Sequence, residues 1–201
     1  MSTSDTQQRA LKRPYRLGSR AVKRDETRRR IVAAAVELHS SVGPARTSVA
    51  QIARLARVQR HTYYAHFPDE RSLMLACSGL ALERDPLPDT EEWARMPAGK
   101  DRVRIGLQQL YAWYDRNQEL VACVLRDAEV HDLTREVANM RFGSTLRLAQ
   151  DLLGENQTEP SRALLTVAIQ FACWRALSDS LDPAAAAALL AEAVDCVAAR
   201  T

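Results

Sequence analysis

Gln59, Arg60, His61 and Thr62 stand in a row, and each carries hydrogen-bond donors or acceptors. An arginine presents a planar fork that pairs with two acceptors at once, as on the major-groove edge of guanine, and a histidine can add one bond to a purine edge. This is binding chemistry rather than bond-breaking chemistry. Residues suited to covalent or metal catalysis lack the necessary spacing. Cys77, Cys123, Cys173 and Cys196 lie at least 23 residues apart, which excludes CxxC redox and zinc motifs and fits reduced thiols buried as small hydrophobes. No two of the seven glycines are closer than seven residues, so neither GxGxxG nor a P-loop can be written. GxSxG and HExxH are also absent, and nothing ties His39 or His131 to a metal. The sequence predicts no catalytic residue, no metal site and no cofactor, and the protein is not expected to be an enzyme.

Charge adds a direction. The net charge of +3 hides an asymmetry: residues 1–66 hold 14 Lys and Arg against 4 Asp and Glu, while residues 67–201 hold 14 against 21. A basic end of +10 followed by a body of −7 suits a polyanion at one end and a separate task at the other. The longest stretch free of Asp, Glu, Lys and Arg, Ala163 to Trp174, is 12 residues, well short of the ~20 needed to span a bilayer. No apolar run follows the first polar residues, so no secretory signal is read and a cytoplasmic location is expected. Membrane-surface binding would need aromatic or large apolar groups opposite the basic face. The Ala33-Ala34-Ala35 stretch of the first helix does not supply them.

The elements that position these groups are helices. Apolar residues recur at helical spacing, without sustained two-residue alternation or an Asn-Gly hairpin signal, so the fold class is all-α, with about nine helices. Residues 1–24 hold seven basic residues from Arg9 to Arg24 and few apolar ones, the composition of a flexible basic arm. The first helix is expected to start near Asp25, to bury Ile31, Val32, Ala35, Leu38 and Val42, and to end at Gly43-Pro44. Ser48-Val-Ala-Gln51 forms a capping box for a short second helix that stops near Ala56. A third runs from about Gln59 to Phe67, halted by Pro68, and Asp69 caps a fourth. A polar connector with Trp93 as its anchor reaches about Gly99. Helices then follow over about 100–116, 119–128, 133–153, 161–180 and 183–200. The domains are read as 1–24 arm, 25–70 helix-turn-helix and 71–201 helical body.

The tight break at Arg57-Val58 between the second and third helices has the dimensions of a helix-turn-helix. In that unit the second helix of the pair lies in the DNA major groove. Arg60 and His61 then face base edges, while Val58, Tyr63 and Phe67 turn inward.

The stretch TSVAQIARLARVQRHTYYAHFPDERSL resembles the DNA-binding domain of the TetR (tetracycline repressor) family, through Ile52-Ala53, the turn and Tyr64-Ala65-His66-Phe67. The resemblance covers roughly residues 25–75 and implies a DNA-binding transcriptional regulator, a repressor released from its operator by a small-molecule effector. The alternative is a helical interaction module whose basic end binds polyanions non-specifically. The resemblance also implies that Arg60, His61 and Thr62 face bases and that Thr47, Ser48, Tyr64 and His66 meet phosphates. Two positions depart from the family pattern. Arg57 stands where glycine is usual, at a cost of about 1 kcal/mol if the backbone is left-handed there. Glu70 stands where a phosphate-binding lysine is usual, and either the adjacent Arg71 takes that part or the contact is lost. The basic arm has two readings, a further DNA contact or a solvated tail.

For the acidic body the resemblance implies a ligand-binding and dimerising domain of about six helices, with the ligand among the middle ones. Tyr111, Tyr114, Cys123, Arg126, Met140 and Phe142 are the candidates there. Leu164, Val167, Ala168 and Phe171, with Leu190, Val194 and Val197, form wide apolar stripes on the last two helices and suit packing across a two-fold axis. The expected partners are a palindromic double-stranded operator, a second copy of the chain and a small-molecule effector, with no membrane.

Overall fold

The structure is a computed structural model that describes residues 12–200. Among these residues every regular element is a helix. They are α1 (Lys12–Ser41), a 3₁₀ turn (Pro44–Arg46), α2 (Val49–Leu55), α3 (Arg60–His66), α4 (Glu70–Arg84), α5 (Thr90–Ala94), α6 (Lys100–Arg116), α7 (Gln118–Ala128), α8 (Asp132–Ala138), a π-helical turn (Asn139–Gly143), α9 (Ser144–Leu153), α10 (Glu159–Ala168), α11 (Phe171–Leu177) and α12 (Pro183–Ala198). The nine expected helices are present, with one interrupted, one broken and a short one added.

One correction concerns the start. Residues 12–24, expected to be a flexible arm, are the first turns of α1. Arg, Lys and Ala are good helix formers, and extending an already nucleated helix adds a hydrogen bond for each residue fixed. Residues 1–11, with Arg9, lie outside the described residues. A second correction is that the polar connector contains α5, capped by Asp89 and anchored by the buried Trp93, whose Nε1 donates to Gln109 Oε1 at 2.6 Å. The third concerns the helix expected over 161–180. The buried hydroxyl of Tyr111 donates to Ala168 O at 2.6 Å and that of Tyr114 to Ile169 O at 2.8 Å. Side chains of α6 thus engage the carbonyls at the break, and Gln170 caps α11 with extended backbone.

Two apolar clusters form. Ile31, Val32 and Ala35 of α1, Ile52 of α2, Tyr63 of α3 and Leu73 and Cys77 of α4 make the first, closed by Phe67. The second is built on Val103, Leu107 and Leu110 of α6, against which α12 lies through Ala187, Ala191 and Val194. α4 serves both, since Leu82 further along it packs on the second cluster.

A carboxylate joins the two at the end of α1. Asp127, on α7 and buried, accepts from Ala45 N–H at 2.9 Å and from Arg126 Nε at 2.8 Å, while Arg126 Nη2 donates to Val42 O at 2.7 Å. Burial works to raise the Asp127 pKa, but the hydrogen bonds from Arg126 and Ala45 outweigh it and hold the carboxyl below its usual range. Gly43 turns the chain here with φ 105°, and a Cβ would overlap both Arg126 and Asp127. Only glycine meets both demands.

His39 is buried beside this junction, with Nδ1 3.3 Å from Cys77 Sγ. Desolvation lowers its pKa to about 4, against a smaller upward pull from Asp127. Unfolding restores an ordinary imidazole, so only the unfolded chain takes up the proton as pH falls from about 6.5 towards 4. His39 should therefore cost about 2 kcal/mol of stability between pH 7.5 and pH 5. Urea titrations at the two pH values should show this loss in the wild type and a much flatter dependence in His39→Leu.

Candidate nucleic-acid interface and internal cavity

The helix-turn-helix is fixed by local chemistry at both ends of α2. Ser48 and Gln51 complete the capping box: Ser48 N–H donates to Gln51 Oε1 at 2.8 Å, and Gln51 N–H donates to Ser48 Oγ at 3.3 Å. At the other end Val58 N–H reaches Ala53 O at 2.9 Å and Arg57 N–H reaches Arg54 O at 3.1 Å, the paired bonds of a Schellman motif. Arg57 is the left-handed residue of that motif, with φ 54°. The turn expected for glycine is therefore intact, with an arginine held in its conformation.

α3 is held from inside. Tyr63 and Phe67 are buried with ring centroids 6.1 Å apart, and Arg28 of α1 lies over the Phe67 ring at 4.9 Å. Burial, then Tyr64 and Glu70, push the Tyr63 phenol up to about 12, so it stays neutral in the core. The opposite face is open. Arg60 and His61 are exposed and Thr62 half-buried, with His61 Nε2 3.2 Å from Thr62 Oγ1. Arg60 makes no hydrogen bond or ion pair among the described residues. A seven-residue helix is about 10 Å long, short enough to lie within one major groove.

The residues assigned to phosphate divide. Tyr64 is 52% exposed and its ring stands edge-on to Tyr63, and Ser48 is exposed at the start of α2. Thr47 is half-buried and its hydroxyl donates to Gly43 O at 2.7 Å, which leaves its lone pairs as acceptors only. His66 is half-buried, and burial, then Arg24 and Arg28, lower its pKa. Those two arginines of α1 bring positive charge to the end of α3, a contribution absent from the sequence reading, which began α1 after Arg24 and gave Arg28 no role. Arg71 is engaged elsewhere: its guanidinium forms a two-bond pair with Glu136 of α8 at 2.5 and 2.7 Å. The neighbouring Glu70 lies 3.6 Å from His131. The start of α4 is thus tied to α8, and a phosphate would have to compete with Glu136 for Arg71.

An apolar cavity lies where α1, α4, α6, α7 and α8 meet. Its volume is about 50 Å³, and a neighbouring one of about 220 Å³ shares Trp113, Val121, Val124, Ala138 and Phe142 with it. Of the expected ligand residues, Phe142 lines both cavities and Tyr114 the second. Four do not line either. Tyr111 is buried with its hydroxyl on Ala168 O, Cys123 Sγ donates to Ser40 O at 3.3 Å, Arg126 serves the Asp127 junction, and Met140 is 48% exposed. They fall outside because a residue's position along the middle helices does not set which side of the helix it occupies. His39, Asn117 and Arg141 line the first cavity instead. His39 alone carries a weak signal of this in sequence, lying four residues after Ala35 on the buried stripe of α1. Among the described residues no three His, Cys, Asp or Glu side chains converge as a metal site would require, and no helix is long and apolar enough to cross a membrane.

The expected dimer residues also divide. Ala168, Phe171 and Val194 are buried in the protomer's own core. Val167 is exposed, while Leu164, Leu190 and Val197 are half-buried. Val167, Ala172, Ala176, Leu177 and Leu190 form one shallow apolar surface.

The comparisons with known proteins agree with this architecture. No curated protein is significantly similar to the chain in sequence. In fold it is similar to the transcriptional regulator FadR from Bacillus subtilis, solved in complex with stearoyl-CoA, at 17% identity and a TM-score of 0.59 over 83% of this chain and 96% of that one. It is similarly related to a TerR/AcrR-family transcriptional regulator from Aquifex aeolicus VF5, at 19% identity and a TM-score of 0.53 over 85% and 99% of the two chains.

The Schellman turn yields a direct test. Arg57 is exposed, so Arg57→Gly removes left-handed strain at little cost in contacts and should stabilise the protein by about 0.5–1 kcal/mol after the added entropy of the unfolded chain. Melting temperature should rise by roughly 1–4 °C, and a fall would show that Arg57 makes a stabilising contact.

Residues 31–77 match the family model of bacterial regulatory proteins, tetR family, so the helix-turn-helix segment of this chain is similar to the DNA-binding domain of that family.

Proposed function

We propose that the protein acts as a homodimer that reads a palindromic operator with α3, and that a small molecule in the α4–α6–α7–α8 cavity releases it, so that it represses until the effector binds. The observation that carries this reading is the exposed, uncommitted Arg60 beside His61 at the first turn of an α3 locked by the Ser48–Gln51 box, the Arg57 turn and the Tyr63–Phe67 core. Arg60 would take a guanine edge bidentately and His61 a purine edge, with Thr62 beside them. Tyr64 and His66 would hold phosphates, supported by Arg24 and Arg28, and Thr47 and Ser48 would join them only by turning their hydroxyls away from Gly43 O and Gln51 Oε1. Arg71 would join them only by giving up Glu136, which links DNA contact to the seating of α4 on α8. A cytoplasmic location fits this role.

A helix-turn-helix reading a palindrome needs two copies with recognition helices about 34 Å apart. The apolar surface around Val167 and Leu190 is the face we assign to the partner. The protein should run at about 45 kDa, twice its 22.4 kDa. Val167→Glu should shift it toward the monomer in sedimentation equilibrium, whereas a wild type monomeric at micromolar concentration would defeat the dimer.

Selection of bound sequences from random duplex DNA at near-physiological salt tests the reader itself. The wild type should enrich a palindrome with half-sites one helical turn or more apart. Arg60→Ala with His61→Ala should lose it, each base contact being worth about 1–3 kcal/mol. Salt-sensitive binding without an enriched sequence, equal in both proteins, would reduce the basic end to a polyanion patch.

A further inference from the structure

The polar groups in the wall of the first cavity are unequal. Its lining includes no Asp or Glu, and Arg141 is its one cation. Arg141 Nε donates to Ser78 Oγ at 3.1 Å and Nη2 to Leu75 O at 3.0 Å, both on α4. Among the described residues no carboxylate pairs with it, so three of its five N–H bonds are unspent. Elsewhere in the protein comparable arginines are matched: Arg71 by Glu136, Arg116 by Asp85 and Arg126 by Asp127. A half-buried guanidinium held only by neutral acceptors in an apolar wall leaves room for an anion, and the pair that results is strengthened by the low local dielectric.

The other polar side chains do not compete for that anion. The Asn117 amide is spent on Asp85 and Trp113 O, and Thr134 bonds His131. His39 faces Cys77 through Nδ1, and the Cys77 thiol gives its proton to Met74 O at 3.3 Å. The tautomer that suits this contact carries its hydrogen on Nδ1, and Nε2 is then a lone pair that repels an anion. Burial keeps both groups in these states, pushing the thiol up to about 12 and the imidazole down to about 4.

Size sets the rest of the ligand. A cavity of about 50 Å³ holds a head group and little more. The shared wall to the 220 Å³ cavity contains Phe142, which packs on Trp113 at 5.7 Å and sits in the π-helical turn Asn139–Gly143. Such turns are frequent at functional sites. An apolar body passing Phe142 would lie among Leu87, Leu110, Leu125 and Leu146.

We propose that the effector is an apolar carboxylate whose head group pairs with Arg141 and whose body runs past Phe142 into the second cavity. This rests on the reading that the cavity takes the effector. It also gives the release a physical route, because the carboxylate would bind the same guanidinium that ties the π-turn to α4 through Leu75 O and Ser78 Oγ.

Calorimetric titration of the full chain with decanoate and with decanol, at one pH and below their aggregation limits, separates the head group from the body. Decanoate should bind the wild type about tenfold or more tightly than decanol and release the protein from its selected duplex. Arg141→Met should bring the two affinities together while leaving that of decanol unchanged. The two-ligand comparison on the wild type stands even if the variant does not fold. Equal affinities in the wild type would overturn the carboxylate and leave an apolar effector cavity. Failure of both ligands to bind a protein that still holds its duplex would overturn the carboxylate together with the cavity reading.

Discussion

The placement of the DNA-reading pair depends on one buried carboxylate. Asp127 holds the Ala45 N–H just after α1, and its neighbour Arg126 holds the Val42 carbonyl just before the turn. The two α7 residues thus fix both sides of Gly43, the hinge between α1 and the segment leading to α2. A buried carboxylate is costly to desolvate unless charge and hydrogen bonds compensate it, and losing a partner is worse than never having had one. That is why Gly43 has so little freedom: a side chain there would take the space Asp127 and Arg126 occupy. The orientation of α2 and α3 on the body follows from this junction more than from apolar contact, because α2 and α3 pack on α1 and on each other within their own cluster.

A second constraint shapes the far end. The tyrosine hydroxyls on Ala168 and Ile169 divide what periodicity reads as one helix, and they turn Phe171 and Trp174 into the core. Only part of the stripe that looked like an interface then remains on the outside, as the patch around Val167 and Leu190. The same two phenols are held neutral, their pKa values raised chiefly by burial, so each hydroxyl keeps the proton it donates. Packing and hydrogen bonding therefore select which apolar residues a second copy could meet.

What the sequence could show was local. The Ser48–Gln51 box and the Asp69 cap lie within a few residues of the groups they satisfy, and each is found where spacing placed it, as is the tight turn at Arg57. The division of buried Tyr63 from exposed Tyr64 is equally a matter of helical phase. The misses are long-range. Arg71 meets Glu136 across 65 residues, Ala45 meets Asp127 across 82, and Arg141 meets Leu75 across 66. Charge and type make such residues eligible partners, but nothing in local spacing chooses among the 28 Lys and Arg and 25 Asp and Glu available. The start of α1 was missed for a related reason: composition argued against burial, and an exposed helix extension does not require burial.

The magnitudes of these contacts rank what gives way when the helix-turn-helix moves on the body. The Arg71–Glu136 pair is about half exposed on both sides, and solvent screening leaves pairs of that kind weak. His131 and Glu70, at 3.6 Å, contribute no more. The Asp127 carboxylate is buried although its partner Arg126 is exposed, and stripping the hydrogen bonds from a buried carboxylate is costly. A rotation that keeps Asp127 in place and parts α4 from α8 is therefore much cheaper than one that opens the junction. Cys77, Ser78 and Arg141 lie between these two sets of contacts, on the cavity wall. In the proposed reading, a ligand that binds one seating of α4 about tenfold more tightly than the other supplies about 1.4 kcal/mol, and that energy would act on the exposed pairs at the start of α4 before it reached the buried carboxylate of α7.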